Sequence, residues 1–389
     1  MINFEHYNPT RIVFGKEQLH RLPVLISEHT TGKKILIAYG GGSVIKTGLL
    51  DQIKAELSGF TVSEFGGIEA NPQFSTLIKG VEKAKNEAVD FILAVGGGSV
   101  IDGVKFMCGA YHYAGDPWDV LERKEGCIFS KALPFGTVLT LPATGSEANS
   151  GAVISRDELK EKQTMGGPLF FPRFSFCDPS VVTTLPTRQI ANGIVDAYMH
   201  TLEQYLTFSV GNKLQERQAE AILSTLIEIA PAIMADPSDY TAAANLMWCA
   251  THALNGNLRL GVPTDWTTHM IGHELTALFG IDHARTLAII APRLFENQFN
   301  NKRAMLAQYG RRVWHLEGNE EIVAKNAIEK TEAFFHSLQI ETRISDYTTD
   351  TAHLATIIRE RFEKRGWNAM GEHKAITPHA VESIVNAAI

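Results

Sequence analysis

Asp196 and His200 stand four residues apart in IVDAYMHTLEQYL, and His269 and His273 stand four apart in DWTTHMIGHELTALFG, with His283 ten residues further on. Four residues is about one helical turn, so on a helix each pair projects from one face. One carboxylate and up to three imidazoles can then converge on a single divalent cation. A lone D-x3-H spacing carries little weight, because a helical histidine is more often a hydrogen-bonded structural residue. The second pair and His283 change that balance. The first pair lies among Ile194, Val195, Ala197, Tyr198 and Leu202, and the second among Met270, Leu275 and Leu278. Ionisable groups on such apolar faces need a partner, since unpaired burial is costly. A metal satisfies both pairs. Asp196, His200, His269 and His283 form a four-ligand set, and His273, one turn after His269, can sit in the pocket without ligating. Mixed nitrogen and oxygen donors suit Zn²⁺, Fe²⁺ or Mn²⁺. Four protein ligands would close a tetrahedral shell, so catalysis there needs a fifth position or one labile ligand.

A second set of residues could bind phosphate. The string GGGSVI occurs twice, at 40–45 and 96–101, each time directly after an apolar run that reads as a strand (KILIAY and FILAV). A glycine run between a strand and a helix start offers free backbone N–H groups and the positive end of a helix dipole. Glycine also lets a pyrophosphate approach the backbone closely. Neither run is a full GxGxxG, and one alone is as well explained by a tight turn. Two at the ends of parallel strands favour a dinucleotide site. Ser43 and Ser99 can cap their helices or bind phosphate oxygens. Asp102 and Lys105 follow the second loop at i,i+3 spacing; the plain reading is a surface ion pair, the functional one that Asp102 helps fix a cofactor. The first loop carries no acid to grip an adenosine 2′-hydroxyl, and has Ser43 and Lys46 instead. That composition favours NADPH over NADH.

The elements that must hold these groups change character along the chain. Strands are expected at Arg11–Phe14, Lys34–Tyr39, Thr61–Phe65, Asp90–Val95, Thr137–Leu141, Ala152–Ser155 and Phe174–Cys177. Helices are expected at Lys16–Glu28, Ser43–Leu57, Phe74–Glu87 and Ser99–Ala110. Such alternation predicts a Rossmann-like parallel α/β sheet. Beyond Asp178 the β runs stop and amphipathic stretches follow, among them Thr187–Thr207, Lys213–Ala235, Thr264–Phe279 and Ala284–Asn300. Thr187 and Thr264 are the expected N-caps and Gly280 the expected stop. The expected division is an α/β dinucleotide-binding domain over 1–182 and an all-helical metal-binding domain over 183–389.

Composition narrows the remaining classes. Of 389 residues, 44% are hydrophobic, enough for ordinary cores, and the formal charge of −7 argues against a dedicated nucleic-acid binder. No uninterrupted apolar run has the length of a bilayer span, and the start MINFEHYNPTRIVFG lacks the pattern of a secretion signal. Four scattered cysteines without a CxxC imply free thiols and a cytoplasmic protein.

Taken together, the motifs resemble those of the iron-containing (group III) alcohol dehydrogenases. The resemblance rests on GGGSVID at 96–102, LPATGSE at 141–147, D-x3-H at 196–200 and H-x3-H with His283. NPTRIVFGK at 8–16, YGGGSV at 39–44, FGGIEANP at 65–72 and DHARTLAI at 282–289 point to the butanol dehydrogenase and NADPH-dependent aldehyde reductase branch. The likeness covers almost the whole chain. It implies metal ligation by Asp196, His200, His269 and His283, with His273 as a further active-site histidine. It implies a pyrophosphate loop at Gly97, Gly98 and Ser99 beside Asp102, and an adenosine-phosphate pocket at Gly40, Gly41 and Ser43. It places Asn71 near the adenosine ribose, Thr140, Thr144 and Ser146 beside the nicotinamide, and Lys162 on the cofactor. NAD-preferring members carry an Asp where this chain has Gly in the first loop. A homodimer is also implied.

The activity expected is reversible hydride transfer between NADP(H) and short-to-medium-chain aldehydes or primary alcohols, with a Lewis-acid metal and a proton relayed by water or His273. Enzymes of the same fold that act as glycerol dehydrogenases or, like dehydroquinate synthase, as lyases are the rivals. The lyases need Lys and Arg around the metal motifs, where this chain has Trp266, Met270 and Phe279. A metal-stabilised nucleotide-binding module without catalysis is the non-enzyme alternative.

Overall fold

The computed structural model describes residues 1–389, which divide into two compact units. One comprises Tyr7–Leu185 and Pro237–Met247; the other comprises Met1–His6, Pro186–Asp236 and Trp248–Ile389.

The first unit is built on eight strands: β1 (Arg11–Phe14), β2 (Lys34–Tyr39), β3 (Thr61–Phe65), β4 (Phe91–Gly96), β5 (Phe135–Leu139), β6 (Gly151–Arg156), β7 (Glu161–Gly166) and β8 (Phe174–Cys177). Six of them form one all-parallel sheet in the order β1-β8-β5-β4-β2-β3. The apolar runs of β2 and β4 bury both faces. Leu36, Ala38, Ile92 and Ala94 join one core with Ile101 and Val104, while Ile35, Ile37, Phe91, Leu93 and Val95 join another with Leu50 and Ile53. Period-two alternation sends successive side chains to opposite faces, so a strand covered on both sides must be apolar throughout.

Topology then positions the loops. From β2 the chain steps outward to β3 and returns across it to β4, so the order reverses between β2 and β4. Register pairs Tyr39 with Val95 and Gly96 with Leu139. The two glycine runs therefore leave adjacent strands at the same edge of the sheet, at the crevice where α/β sheets bind ligands.

Several boundaries differ from the expectation. The stretch Lys16–Glu28 holds only a 3-10 turn and a short helix, Leu22–Ser27 with Pro23 in its first turn; proline has no N–H to extend a helix backwards. Ser43–Leu57 breaks at Gly48, whose φ of +75° turns the chain between two short helices. The β6 segment pairs antiparallel with β7, a strand the sequence did not signal, in a two-stranded ribbon outside the main sheet.

The second unit is helical, as expected for the later half of the chain. Its longest helices are Lys213–Ala235, Thr187–Tyr205 and Glu320–Ser337. By length and composition alone Lys213–Ala235 could cross a bilayer; charged Glu216, Arg217, Glu220 and Glu228 interrupt it, and Leu223, Leu226 and Ile233 are buried in the protein. Two helices near the end, Leu354–Lys364 and Pro378–Ala388, were not foreseen. Neither threonine serves as a cap. Thr187 is the first helical residue after Pro186, and the second metal-motif helix starts at Thr267, whose N–H is accepted by Asp265 Oδ1 at 3.0 Å. Gly280, at φ +67°, does end that helix.

Candidate active site

In the helical unit, the Thr187–Tyr205 helix carries Asp196 and His200, the Thr267–Phe279 helix carries His269 and His273, and His283 opens the His283–Asn297 helix. Ligand atoms of Asp196, His200 and His269 all lie within 4.8 Å of one another. His200 Nδ1 and His283 Nε2 each lie 3.8 Å from Asp196 Oδ1. The rings of His269 and His283 have centroids 5.1 Å apart. His273 is 5.1 Å from His283 and 6.2 Å from His269 by the same measure. All five side chains are thus brought together, and Asp196, His200, His269 and His273 are buried.

This arrangement fits a divalent cation. Asp196 Oδ1 is buried and accepts no hydrogen bond. A separation of 3.8 Å is too long for a hydrogen bond. Two donors that each sit about 2.1 Å from one ion lie roughly 3–4 Å apart, which matches. The surroundings are also rich in acid. Asp196, Glu203, Asp265 and Glu372 share this buried region with one ammonium, that of Lys302. A dication would favour the ionised form of such buried carboxyls.

Glu203 belongs to no motif of the sequence, although it lies one turn after His200 on the same helical face. Its carboxylate contacts His269 Nδ1 and accepts the His269 backbone N–H at 3.1 Å. With Nδ1 so engaged, the atom His269 can offer a metal is Nε2. Burial pushes the Glu203 carboxyl well above its usual range and Asp265 adds to this, while the His269 N–H, His200 and Lys302 oppose it. Trp266 forms an aromatic wall, its ring 5.4 Å from that of His269 and 6.3 Å from that of His200.

In the sheet unit, Gly97 precedes the 13-residue helix Gly98–Ala110, whose first turn presents its backbone N–H groups at the sheet edge. Space at this turn is minimal. A Cβ on Gly98 would lie 2.3 Å from Thr144 Oγ1, and one on Gly97 would lie 3.1 Å from Leu141 Cβ. Ser99 Oγ accepts the Asn71 backbone N–H at 3.3 Å, and Lys162 Nζ donates to Asn71 Oδ1 at 2.9 Å. Thr140 N–H donates to Gly96 O at 3.0 Å, and Thr144 Oγ1 accepts the Ser146 N–H at 3.1 Å. The second glycine loop therefore meets Asn71, Thr140 and Thr144, and Lys162 is tied to it through Asn71. The first loop is more open: a Cβ on Gly41 would meet nothing within 4 Å, and one on Gly40 would lie 3.2 Å from Ile68 O. Ser43 is exposed at its end.

Asp102 and Lys105 are not a surface pair. Lys105 is fully buried and donates to Ser146 Oγ at 2.7 Å, Asn149 Oδ1 at 3.0 Å and Gly151 O at 2.7 Å. Ser146 Oγ donates in turn to Asp102 Oδ1 at 2.6 Å, and the Val153 N–H donates to Oδ2 at 2.9 Å. Helical spacing placed these two residues on one face, but only the fold reveals that the face is covered by residues 144–153. Three acceptors match the three N–H bonds of an ammonium. Burial lowers the Lys105 pKa to about 8, against the pull of Asp102 and Glu147, so it remains charged at neutral pH. Burial likewise raises the Asp102 pKa, opposed by Lys105 and Ser146.

The sheet unit thus carries two glycine loops at the ends of parallel strands, and the helical unit an Asp/His cluster whose geometry fits a metal ion. Residues 9–179 match the family model for iron-containing alcohol dehydrogenase, and residues 190–389 match that for the Fe-containing alcohol dehydrogenase family, C-terminal. Over the full length of both chains, the protein is 47% identical to the NADPH-dependent aldehyde reductase YqhD of Escherichia coli strain K12. It is 40% identical to the probable NADH-dependent butanol dehydrogenase 1 of Bacillus subtilis strain 168, again over the full length of both. The solved structure of the NADH-dependent butanol dehydrogenase A from Thermotoga maritima superposes with a TM-score of 0.95 at 33% identity, covering 100% of this chain and 99% of that one. This chain belongs to the iron-containing alcohol dehydrogenase family.

Proposed function

We propose that this protein catalyses reversible hydride transfer between NADP(H) and short-to-medium-chain aldehydes and primary alcohols. The observation that carries the reading is the convergence of His200 and His283 on the buried, unbonded Asp196 Oδ1. Asp196, His200, His269 and His283 hold the divalent ion, Fe²⁺ or Zn²⁺ and, as a third fit, Mn²⁺. When bound, that ion supplies Lewis-acid polarisation of the carbonyl oxygen. His273 stands beside His283 and serves as the proton relay. Trp266 supplies an apolar wall suited to an alkyl or aryl aldehyde.

For the cofactor, the backbone N–H groups at Gly97, Gly98 and Ser99 take the pyrophosphate. Asn71 and Lys162, joined by their hydrogen bond, serve the ribose side, and Thr140, Thr144 and Ser146 the nicotinamide side. Asp102 acts by holding Ser146 and the Val153 backbone in place. Gly40, Gly41 and Ser43 form the 2′-phosphate pocket: the loop has no acid to repel that phosphate, and the E. coli relative is NADPH-dependent. The related probable NADH-dependent butanol dehydrogenase 1 makes cofactor choice a point to measure. The functional division falls between 1–182 and 183–389. Four free cysteines agree with a reducing, cytoplasmic setting, and a homodimer is the assembly we assign.

The test is NADPH oxidation followed across aldehydes from C2 to C8, with NADH in parallel. Turnover with butanal and a preference for NADPH are expected. No oxidation with any aldehyde would leave a metal-stabilised nucleotide-binding module.

A further inference from the structure

Glu203 has an unusual position relative to the metal motif. It lies on the helix that bears Asp196 and His200, yet its carboxylate is committed to His269 on another helix. His269 sits in the first turn of the Thr267–Phe279 helix, where backbone N–H groups have no intrahelical acceptor. One Glu203 oxygen satisfies that N–H at 3.1 Å and the other engages Nδ1 of the ring. For the ring to offer its Nε2 lone pair to an ion, its one proton must be on Nδ1, and the Glu203 oxygen placed there is the group that accepts it.

The rear of this clasp is braced. The Asp265 N–H donates to Glu203 O at 2.9 Å. Asp265 Oδ1 accepts from both N–H and Oγ of Thr267, and so caps the helix that carries His269. Lys302 Nζ, buried, lies 2.9 Å from Asp265 Oδ2 and 3.0 Å from Glu372, and donates to Leu206 O at 2.9 Å. Main chain, cap and ammonium thus fix where the His269 helix begins relative to Glu203.

We propose that Glu203 is a positioning residue that sets the tautomer and ring orientation of His269 before the ion arrives, with Asp265, Lys302 and Glu372 as its anchor. The inference rests on the metal-site reading above. Its physical basis is that carboxylates hydrogen-bonded to ligating imidazoles fix their orientation and raise their basicity, at a cost of roughly 10–100-fold in metal affinity when removed.

Glu203→Gln separates this role from a purely structural clamp. The amide keeps the shape but has one acceptor oxygen. If that oxygen takes the backbone N–H, the NH₂ group faces Nδ1 and drives the ring to the Nε2-protonated tautomer, which cannot ligate. The Zn²⁺ dissociation constant would be measured by competition with a chromophoric chelator on the full chain, for the parent, Glu203→Gln and Asp196→Ala. Thermal midpoints of the metal-free proteins would be read alongside. The expected result is affinity weaker by roughly 10–100-fold in Glu203→Gln and abolished in Asp196→Ala. Unchanged affinity in Glu203→Gln, with or without a lower metal-free midpoint, would overturn the positioning role while the loss in Asp196→Ala upheld the site. Unchanged affinity in Asp196→Ala would instead remove the metal site itself. Should Glu203→Gln fail to fold, Glu203→Asp, too short to span both His269 groups, carries the same comparison and the same two outcomes.

Discussion

The two candidate sites, one in each unit, are made of opposite materials. In the sheet unit, the candidate site is defined by what is missing: Gly97 and Gly98 bring bare backbone to a surface that Leu141 and Thr144 already crowd. In the helical unit, the candidate site is defined by what is present: buried imidazoles and carboxyls, with Glu203 holding His269 and Lys302 holding Asp265. A site of bare backbone is damaged by adding atoms, and a site of buried ligands by taking them away.

The largest effect should come from subtraction in the helical unit. His269→Ala removes a ligand and leaves Glu203 without its ring partner; we expect loss of bound metal and a fall in kcat of about a thousandfold or more, since the ion stabilises developing charge. Metal content by elemental analysis, beside steady-state rates, checks both. Retained metal with normal kcat would erase the contrast from that side.

Addition should be harmful in the sheet unit, though less so. Gly98→Ala puts a methyl group 2.3 Å from Thr144 Oγ1. Overpacking of this kind costs about 1–3 kcal/mol, and the displaced turn should raise the KM for NADPH by roughly tenfold. Metal content should not change. Gly41 provides the control, because its Cβ meets nothing. Gly41→Asp should fold normally yet lower the NADPH/NADH ratio of kcat/KM by about tenfold or more through like-charge repulsion of the 2′-phosphate. An unchanged ratio would move the 2′-phosphate out of the first loop.

An effect confined to alkaline pH, and absent at neutral pH, tests the buried lysine that braces the sheet site. Folding holds the Lys105 pKa at about 8, below its ordinary 10.5. Below pH 8 both folded and unfolded chains carry the proton, and stability does not depend on it. Between about 8 and 10.5 the unfolded chain binds more protons, so stability rises with pH relative to a chain that cannot titrate there. The deficit of Lys105→Met against the parent should thus be flat below pH 8 and widen above it, by on the order of 3 kcal/mol at most. Urea unfolding of both proteins at several pH values reads this directly. A deficit that narrows above pH 8 would show that Lys105 is not held below its ordinary value.

The same contrast explains what the sequence revealed. Glycine runs after apolar strands and i,i+4 pairs of ligand-type side chains are local patterns, so both loops and the five clustered side chains of the candidate site were legible. Glu203 was also within reach, since it continues the face of Asp196 and His200. Lys302 and Glu372 were not, because they reach Asp265 only through tertiary packing. Lys105 looked like a surface residue for the same reason: the loop that covers it lies some forty residues away in sequence. The β6–β7 ribbon escaped notice because β7, EKQTMG, is polar and half-exposed, without the apolar alternation that marks a strand.

The central claim is that Asp196, His200, His269 and His283 share one catalytic cation. It is tested most directly by stripping the full-length enzyme with a chelator, measuring NADPH-dependent reduction of butanal, and titrating Fe²⁺ or Zn²⁺ back while counting bound ion. The account predicts an inactive stripped enzyme and activity that returns in step with one ion per chain. Full turnover in stripped protein with no detectable metal would contradict it.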